Sequence, residues 1–238
     1  MNVTDNPASY IGTELEVFAH AINWRAYWQA QIRPYLGRTV LEVGAGIGTV
    51  AKSLCVGDMQ RWVALEPDSG MAERLLADQA AGRLHGACEI RCGGVASLSS
   101  TDLFESILYI DVLEHIENDR DEVRHAYAHL RPGGYLIILV PAHQALYSPF
   151  DAAIGHFRRY NRKQLQGLRP TDASPVRARY LDSVGLLASF GNRLFLKSEN
   201  PNLQQIIVWD RTMVAVSRVL DPVLRYRCGK SLLVIWRK

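Results

Sequence analysis

The sequence predicts an α/β protein built on a doubly wound sheet of seven strands. Three observations carry that prediction. Short apolar runs alternate along the chain with stretches of helical periodicity, the pattern of parallel strands joined by helices. The first run, TVLEV at 39–43, passes directly into the glycine-rich turn GAGIG. A later helical stretch stops at LRPGG, where proline and paired glycines end a helix and start a strand.

In chain order, strands are expected at 39–43, 61–66 (RWVALE), 88–92 (CEIRC), 104–110 (FESILYI) and 134–140 (GYLIILV). Helices fit 47–56, 69–80 and 118–131 between them. Two more strands are expected at 176–181 (VRARYL) and 231–237 (SLLVIWR), the last after a long excursion through 183–228. Within that excursion Ile206, Trp209, Met213, Val216 and Leu220 recur every three or four residues, which predicts an amphipathic helix over 203–220. Ahead of the first strand, 14–34 also reads as helical, with Phe18, Trp24, Tyr27 and Trp28 as its apolar residues. The chain therefore divides as one domain, 1–238. Residues 1–37 form a helical cover, 38–182 with 229–238 the Rossmann-like core sheet, and 183–228 a helical insertion or lid.

Composition narrows the class. Of the 238 residues 48% are hydrophobic and 21% charged, as in ordinary globular proteins. No apolar run approaches the roughly 20 residues that span a bilayer. The start MNVTDNPASY lacks the basic and apolar regions of a secretory signal. Cysteines 55, 88, 92 and 228 show neither a Cys-x-x-Cys pair nor a matching His pair, so no disulfide framework or metal site is expected. A reduced, cytoplasmic setting follows.

The net charge of +3 conceals an asymmetry. Through Gly155 there are 11 Lys/Arg against 19 Asp/Glu, and from His156 onward 16 against 5. Either charge is spread unevenly over solvated faces, or the C-terminal third meets something anionic, such as a phosphorylated acceptor or a membrane surface. No zinc-finger, single-strand-binding or Lys/Arg-dense segment points to nucleic acid. Asp210, Arg211 and Arg218 do not build the dense basic face of a membrane binder, so the helix over 203–220 reads as packing or a lid. A monomer and a homodimer both fit.

The glycine turn raises the question of which nucleotide is held. A dinucleotide site follows G-x-G-x-x-G with an acidic residue about 20 positions later. Here Gly44, Gly46 and Gly48 are spaced G-x-G-x-G, and Thr49 stands where the third glycine would be required. Glu66 ends the second strand, followed by Pro67 and Asp68. A carboxylate there can accept two ribose hydroxyls as a charge-assisted fork.

This combination resembles the class I S-adenosylmethionine-dependent methyltransferases. VLEVGAGIG is similar to their first motif and ALEPD to their second. LYIDVLEHI resembles the close of their fourth strand, and LRPGGYLIILVP the approach to their fifth. GTELEVFAHAINWRAYW and SPFDAAIGHFRRYNRKQL further resemble a bacterial branch found with glycosyltransferases in surface-polysaccharide or secondary-metabolite pathways. The resemblance implies that backbone around Gly44, Gly46 and Gly48 faces the cofactor. It implies that Glu42 orients the methionine ammonium and Glu66 the ribose. Pro67 would lie beside them, with Ile110 and Asp111 near the methyl group. The family often places an Asp after the third strand for the adenine amino group. This chain has CGGVASL, so Val95, Ala96 or Ser97 is expected there instead.

Methyl transfer is an in-line displacement in which positioning supplies about 7–11 kcal/mol. A hydroxyl acceptor also needs a base. His115 and His143 follow the fourth and fifth strands, at the edge where open sheets bind ligands. His156 lies in a loop beyond, and Asp151 can act as base or as the orienter of His156. HFRRYNRK reads either as a charged segment pairing with the acidic half or as an anion clamp on the acceptor. The residues offered for acceptor binding are Tyr147, Arg158, Arg159 and Tyr160. Arg158 and Arg159, being adjacent, cannot both point the same way.

The expected function is methyl transfer from S-adenosylmethionine to a small-molecule, sugar or carrier- or lipid-linked acceptor, at oxygen, with nitrogen or carbon acceptors as the alternative. An NAD-dependent oxidoreductase is disfavoured by Thr49 and by Tyr160 and Lys163, which are three residues apart where Tyr-x-x-x-Lys needs four. A non-catalytic protein that binds the cofactor remains a rival, distinguished by whether space for an acceptor exists.

Overall fold

Seven strands form one mixed sheet in a computed structural model that describes residues 13–191 and 202–238. The first twelve residues of the predicted cover and 192–201 of the insertion lie outside the described residues. The strands are β1 (Thr39–Val43), β2 (Arg61–Glu66), β3 (Cys88–Cys92), β4 (Phe104–Ile110), β5 (Leu130–Pro141), β6 (Ser174–Leu181) and β7 (Ser231–Arg237). Their order is β3-β2-β1-β4-β5-β7-β6. The first five run parallel, and β7 runs antiparallel between β5 and β6. The order reverses between β1 and β4, the switch point at which sheets of this kind open a crevice for ligands.

The helices are α1 (Thr13–Phe18), α2 (Ile22–Ile32), α3 (Thr49–Leu54), α4 (Ser69–Ala80), α5 (Asp119–Ala128), α6 (Pro149–Ala153), α7 (Arg162–Leu168), α8 (Ser183–Gly191), α9 (Leu203–Val208) and α10 (Val214–Val223). Both sheet faces are covered, so alternate strand residues enter two separate cores. Val40, Trp62, Leu108 and Ile137 pack with Trp24, Trp28 and Ile32 of α2. Leu41, Val63, Ile107 and Trp236 face the other way, toward Val123 and Ala126 of α5 and Leu165 of α7.

Three expectations needed correction. The helical stretch expected over 14–34 is broken at 19–21, which leaves α1 and α2 as separate helices. β5 begins at Leu130, which pairs with Phe104 before a register shift, so LRPGG is an irregular strand start and α5 already ends at Ala128. The apolar line expected along 203–220 is also displaced. A π-helical turn over Trp209–Met213 separates α9 from α10, and its wider turn moves the buried line by one residue. Ile206, Asp210, Val214, Ser217 and Asp221 are buried, whereas Val216 is 50% and Leu220 39% exposed.

Candidate active site

A cavity of about 1120 Å³ opens at the carboxyl edge of β1, β2 and β4. Its roof comes from α2, from the insertion and from the segment joining β5 to α7. Gly44, Gly46, Glu42 and Glu66 line one end. Glu114, His115, Asp151 and His156 line the other.

The glycine turn is shaped by backbone need. Gly44 has φ 68, and a Cβ there would stand 2.7 Å from Val112 Cγ2. Gly48 has φ 77, and a Cβ there would meet Leu75 Cδ2 at 2.5 Å. Left-handed backbone beside such close neighbours admits only glycine without strain. The amides of Gly44 and Ala45 both donate to Leu65 O, which ties the turn to the end of β2. Glu66 follows directly. Its Oε2 accepts the Gly46 amide at 2.7 Å and its Oε1 the Asp68 amide at 3.0 Å. Burial raises its pKa, and those two amides oppose the rise. Asp68 in turn caps α4 by accepting the Met71 amide, so the wall past Glu66 is Pro67, Asp68 and Met71.

Glu42 is 2% exposed at the end of β1 and accepts a hydrogen bond from Trp62 Nε1 at 2.8 Å. Burial pushes its pKa up to about 8 despite that bond. Trp62, Cys88 and Glu66 are the groups acting on it, and none is a cation. A buried carboxylate that faces a cavity and has no cation among those groups is matched to a ligand that brings one. Ile110 and Asp111 complete this region. Asp111 adopts φ 53 as β4 turns away and is open to the cavity, whose walls desolvate its carboxyl and raise its pKa to about 6 against the pull of His156 and Lys230.

At the far end, α6 begins with a capping box in which Ser148 and Asp151 satisfy each other. Asp151 is fully buried and gathers its neighbours: Arg159 Nε and Nη2 donate to it at 2.8 and 3.0 Å, and His156 Nδ1 lies 3.0 Å from Oδ1. Burial alone would raise its pKa, but the hydrogen bonds from His156, Arg159 and Ser148 outweigh it and hold the carboxyl below its usual range. Tyr147 lines the cavity and its hydroxyl donates to His156 O at 2.6 Å. His115 sits edge-on to His156, ring centroids 4.5 Å apart, and its ring bonds the main chain of Gly155 and Ile154. Burial lowers its pKa to about 4, helped by His156.

Several residues singled out from sequence stand elsewhere. Gly48 packs behind the turn against Leu75 and does not line the cavity. Val95, Ala96 and Ser97 form a 3-10 turn outside it. Val95 is buried in the opposite core and Ser97 Oγ donates to Gly94 O. His143 turns away with φ 66, stacks on Tyr180 at 5.1 Å and places Nε2 3.0 Å from Gly229 O. Arg158 and Tyr160 both donate to Asp119 Oδ2, at 2.7 and 2.8 Å. Arg162 reaches Ala178 O. The expected anion clamp is therefore spent on internal partners, and of its arginines Arg159 alone faces the cavity.

Two features escaped the sequence reading. Lys230 lines the cavity, its ammonium 5.0 Å from the Trp209 ring centroid. Among the described residues no carboxylate lies within ion-pair range of it. Burial lowers its pKa while Asp182 pulls the other way. Its only sequence signal was its place just before the final strand, and antiparallel β7 starts at the carboxyl edge of the parallel strands. The second feature is a group of metal-ligating type, which spacing had not suggested. One ligand atom each from Glu114, His115 and His156 lie within 4.8 Å of one another.

Comparison with known proteins finds the same fold. Residues 21–173 match the family model described as a methyltransferase domain. A coclaurine N-methyltransferase structure bound to N-methylheliamine and S-adenosylhomocysteine superposes with TM-score 0.60 at 13% identity, covering 91% of this chain and 72% of that one. The cyclase SpnF gives TM-score 0.60 at 17% identity, covering 91% and 81%. The N-methyltransferase NodS from Bradyrhizobium japonicum, in complex with S-adenosylhomocysteine, gives 0.55 at 13% identity, covering 97% and 89%. Comparison with curated protein sequences finds no match.

Proposed function

The chain belongs to the methyltransferase-domain family, and on that premise we propose that it moves a methyl group to an oxygen of a small-molecule, sugar or carrier- or lipid-linked acceptor. It is an S-adenosylmethionine-dependent methyltransferase with the Rossmann-like fold of its structural neighbours. S-adenosylmethionine supplies an electrophilic methyl group on a sulfonium: the acceptor oxygen bonds the methyl carbon, the C–S bond breaks, and its electron pair leaves a neutral thioether.

The chain's residues divide the remaining work. Glu42 meets the cofactor's ammonium, and Glu66, already oriented by the Gly46 and Asp68 amides, takes the ribose hydroxyls. Pro67, Asp68 and Met71 form the wall next to the adenine, replacing Val95, Ala96 and Ser97 in that role. Ile110 and Asp111 stand beside the methionine portion. At the other end His156 receives the hydroxyl proton. Its Nδ1 is held by Asp151, which selects the tautomer that leaves Nε2 as acceptor. Lys230, which no carboxylate among the described residues pairs, gives this end of the cavity a cationic side chain suited to a carboxylate or phosphate on the acceptor.

The observation that carries the reading is the His156–Asp151 pair opening on a cavity with room for a second molecule. Incubation of candidate acceptors with S-adenosylmethionine carrying an isotopically labelled methyl group tests it. The chemical shift of the transferred methyl identifies the bonded atom. An oxygen-bound methyl, with transfer lost in His156→Ala and cofactor binding kept, is the expected result. A methyl on nitrogen or carbon, or unchanged transfer in His156→Ala, overturns it.

A further inference from the structure

Glu114 is 0% exposed, yet among the described residues neither of its carboxylate oxygens has a hydrogen-bond partner. Leaving such a group buried and unpaired costs several kcal/mol in order of magnitude. Two imidazoles, those of His115 and His156, stand beside it. We propose that His115, His156 and Glu114 form a binding site for one divalent transition-metal cation at the acceptor end of the cavity.

The distances suit a cation. His156 Nε2 lies 3.9 Å from Glu114 Oε1, too far for a hydrogen bond. Two metal–ligand bonds of about 2.1 Å span that gap. One atom from each of the three residues falls within 4.8 Å of the other two, so small side-chain movements close the set around an ion.

The surroundings are those of a prepared metal site. A ligating histidine ordinarily hands its other ring nitrogen to a carboxylate or a main-chain carbonyl, which fixes the ring and its tautomer. His156 does the first, through Nδ1 and Asp151 at 3.0 Å. His115 has the main chain of Gly155 and Ile154 as hydrogen-bond partners. Asp151 is itself held by Arg159 and Ser148, so the guanidinium nearest the cluster is engaged by a carboxylate outside it. Asp111 adds a further negative group on the cavity side.

Two imidazole nitrogens and one carboxylate oxygen favour manganese, iron, cobalt, nickel or zinc over magnesium or calcium. Coordination positions facing the cavity would be left for the acceptor. A hydroxyl bound there would be acidified and would give its proton to water in the cavity, so in the metal-bound protein His156 holds the cation, and the base role assigned to it above belongs to the metal-free protein. That purpose rests on the oxygen-acceptor reading. Cation binding itself does not.

The test uses the untagged full chain, stripped of metal with a chelator and titrated with zinc and cobalt chlorides by calorimetry and visible spectroscopy. One equivalent is expected to bind, with cobalt ligand-field bands and no thiolate charge-transfer band. Glu114→Gln and His156→Ala should each weaken binding at least about 10-fold, while S-adenosylhomocysteine binding confirms that each variant is folded. His115→Asn stands in for any variant that loses that control. Absence of saturable binding, equal affinity in the folded variants, or a thiolate band implicating cysteine overturns the proposal. If the metal binds as expected but labelled methyl is found on nitrogen, only the catalytic purpose fails.

Discussion

Asp210 caps the amino end of α2 through the amides of Asn23 and Trp24. Its Oδ1 accepts the Trp24 amide at 2.7 Å, and its Oδ2 accepts both the amide and the side chain of Asn23. No local residue does this, since the methyl group of Ala21 at the N-cap has no acceptor to offer. The carboxylate comes from the insertion, reaches the positive end of the α2 dipole and is 3% exposed. Asp221 makes a second tie by accepting the Tyr27 hydroxyl at 2.8 Å together with the amides of Asp182 and Ser183. Cover and insertion are thereby one roof over the cavity.

Asp210→Ala should therefore cost more than an exposed cap would. Removing an acceptor of buried charged hydrogen bonds is expected to lower stability by about 2–3 kcal/mol, read from the urea midpoint at unchanged slope. A loss under about 0.5 kcal/mol, the level of an ordinary surface substitution, would show that the roof does not depend on this cap.

Glu66→Ala should weaken S-adenosylhomocysteine about 100-fold, as expected for losing roughly 3 kcal/mol of charge-assisted bonding. Glu66→Gln should fall between, because an amide still accepts the Gly46 N–H. NAD should bind neither variant nor the native chain. Calorimetry with the three proteins in parallel decides it.

Binding of the cofactor should release a proton through Glu42. Its pKa of about 8 keeps the carboxyl mostly protonated at neutral pH, and an incoming ammonium favours the ionised form. Affinity for S-adenosylhomocysteine should rise with pH until about 8, and binding enthalpy at pH 7 should vary with the ionisation enthalpy of the buffer. The same shift acts on stability with defined sign. A carboxyl raised above its ordinary 4.5 favours the fold at low pH, and that contribution is lost as pH rises through about 8. Glu42→Gln should flatten both profiles. A buffer-independent enthalpy in the native protein would count against the ammonium contact.

Lys230→Met should discriminate among acceptors. Methionine keeps apolar contact with Trp209 but removes the charge. The KM for a carboxylate- or phosphate-bearing acceptor should rise about 10- to 100-fold, the scale of one charged hydrogen bond. The KM for S-adenosylmethionine should stay unchanged. Equal loss with neutral and anionic acceptors would place Lys230 in packing alone.

The strands were legible because each is a short apolar run whose alternation serves two buried faces, a property of adjacent residues. Gly44, Gly46 and Glu66 were legible because a strand–turn–helix of that spacing leaves little choice of backbone. The insertion helix was less so. Its pattern of Ile206, Trp209, Met213, Val216 and Leu220 assumed one uninterrupted α-helix facing an apolar core. A π turn and a partner made of backbone amides put Asp210, Ser217 and Asp221 on the buried side instead.

Local chemistry along the chain thus determined the sheet, the glycine turn and the carboxylates at the ends of β1 and β2, since these depend on neighbours within a few residues. Tertiary structure alone decided which of several histidines and arginines meet in the cavity. His143 turned onto Tyr180, and Arg158 and Tyr160 went to Asp119. His156 was drawn by Asp151 toward Glu114 and His115, and Lys230 arrived from the far end of the chain. Side chains distant in sequence become a site only when the packing that buries them also chooses their partners, as Asp151 is held by Arg159 and His156, because a buried charge needs a group that offsets its lost hydration.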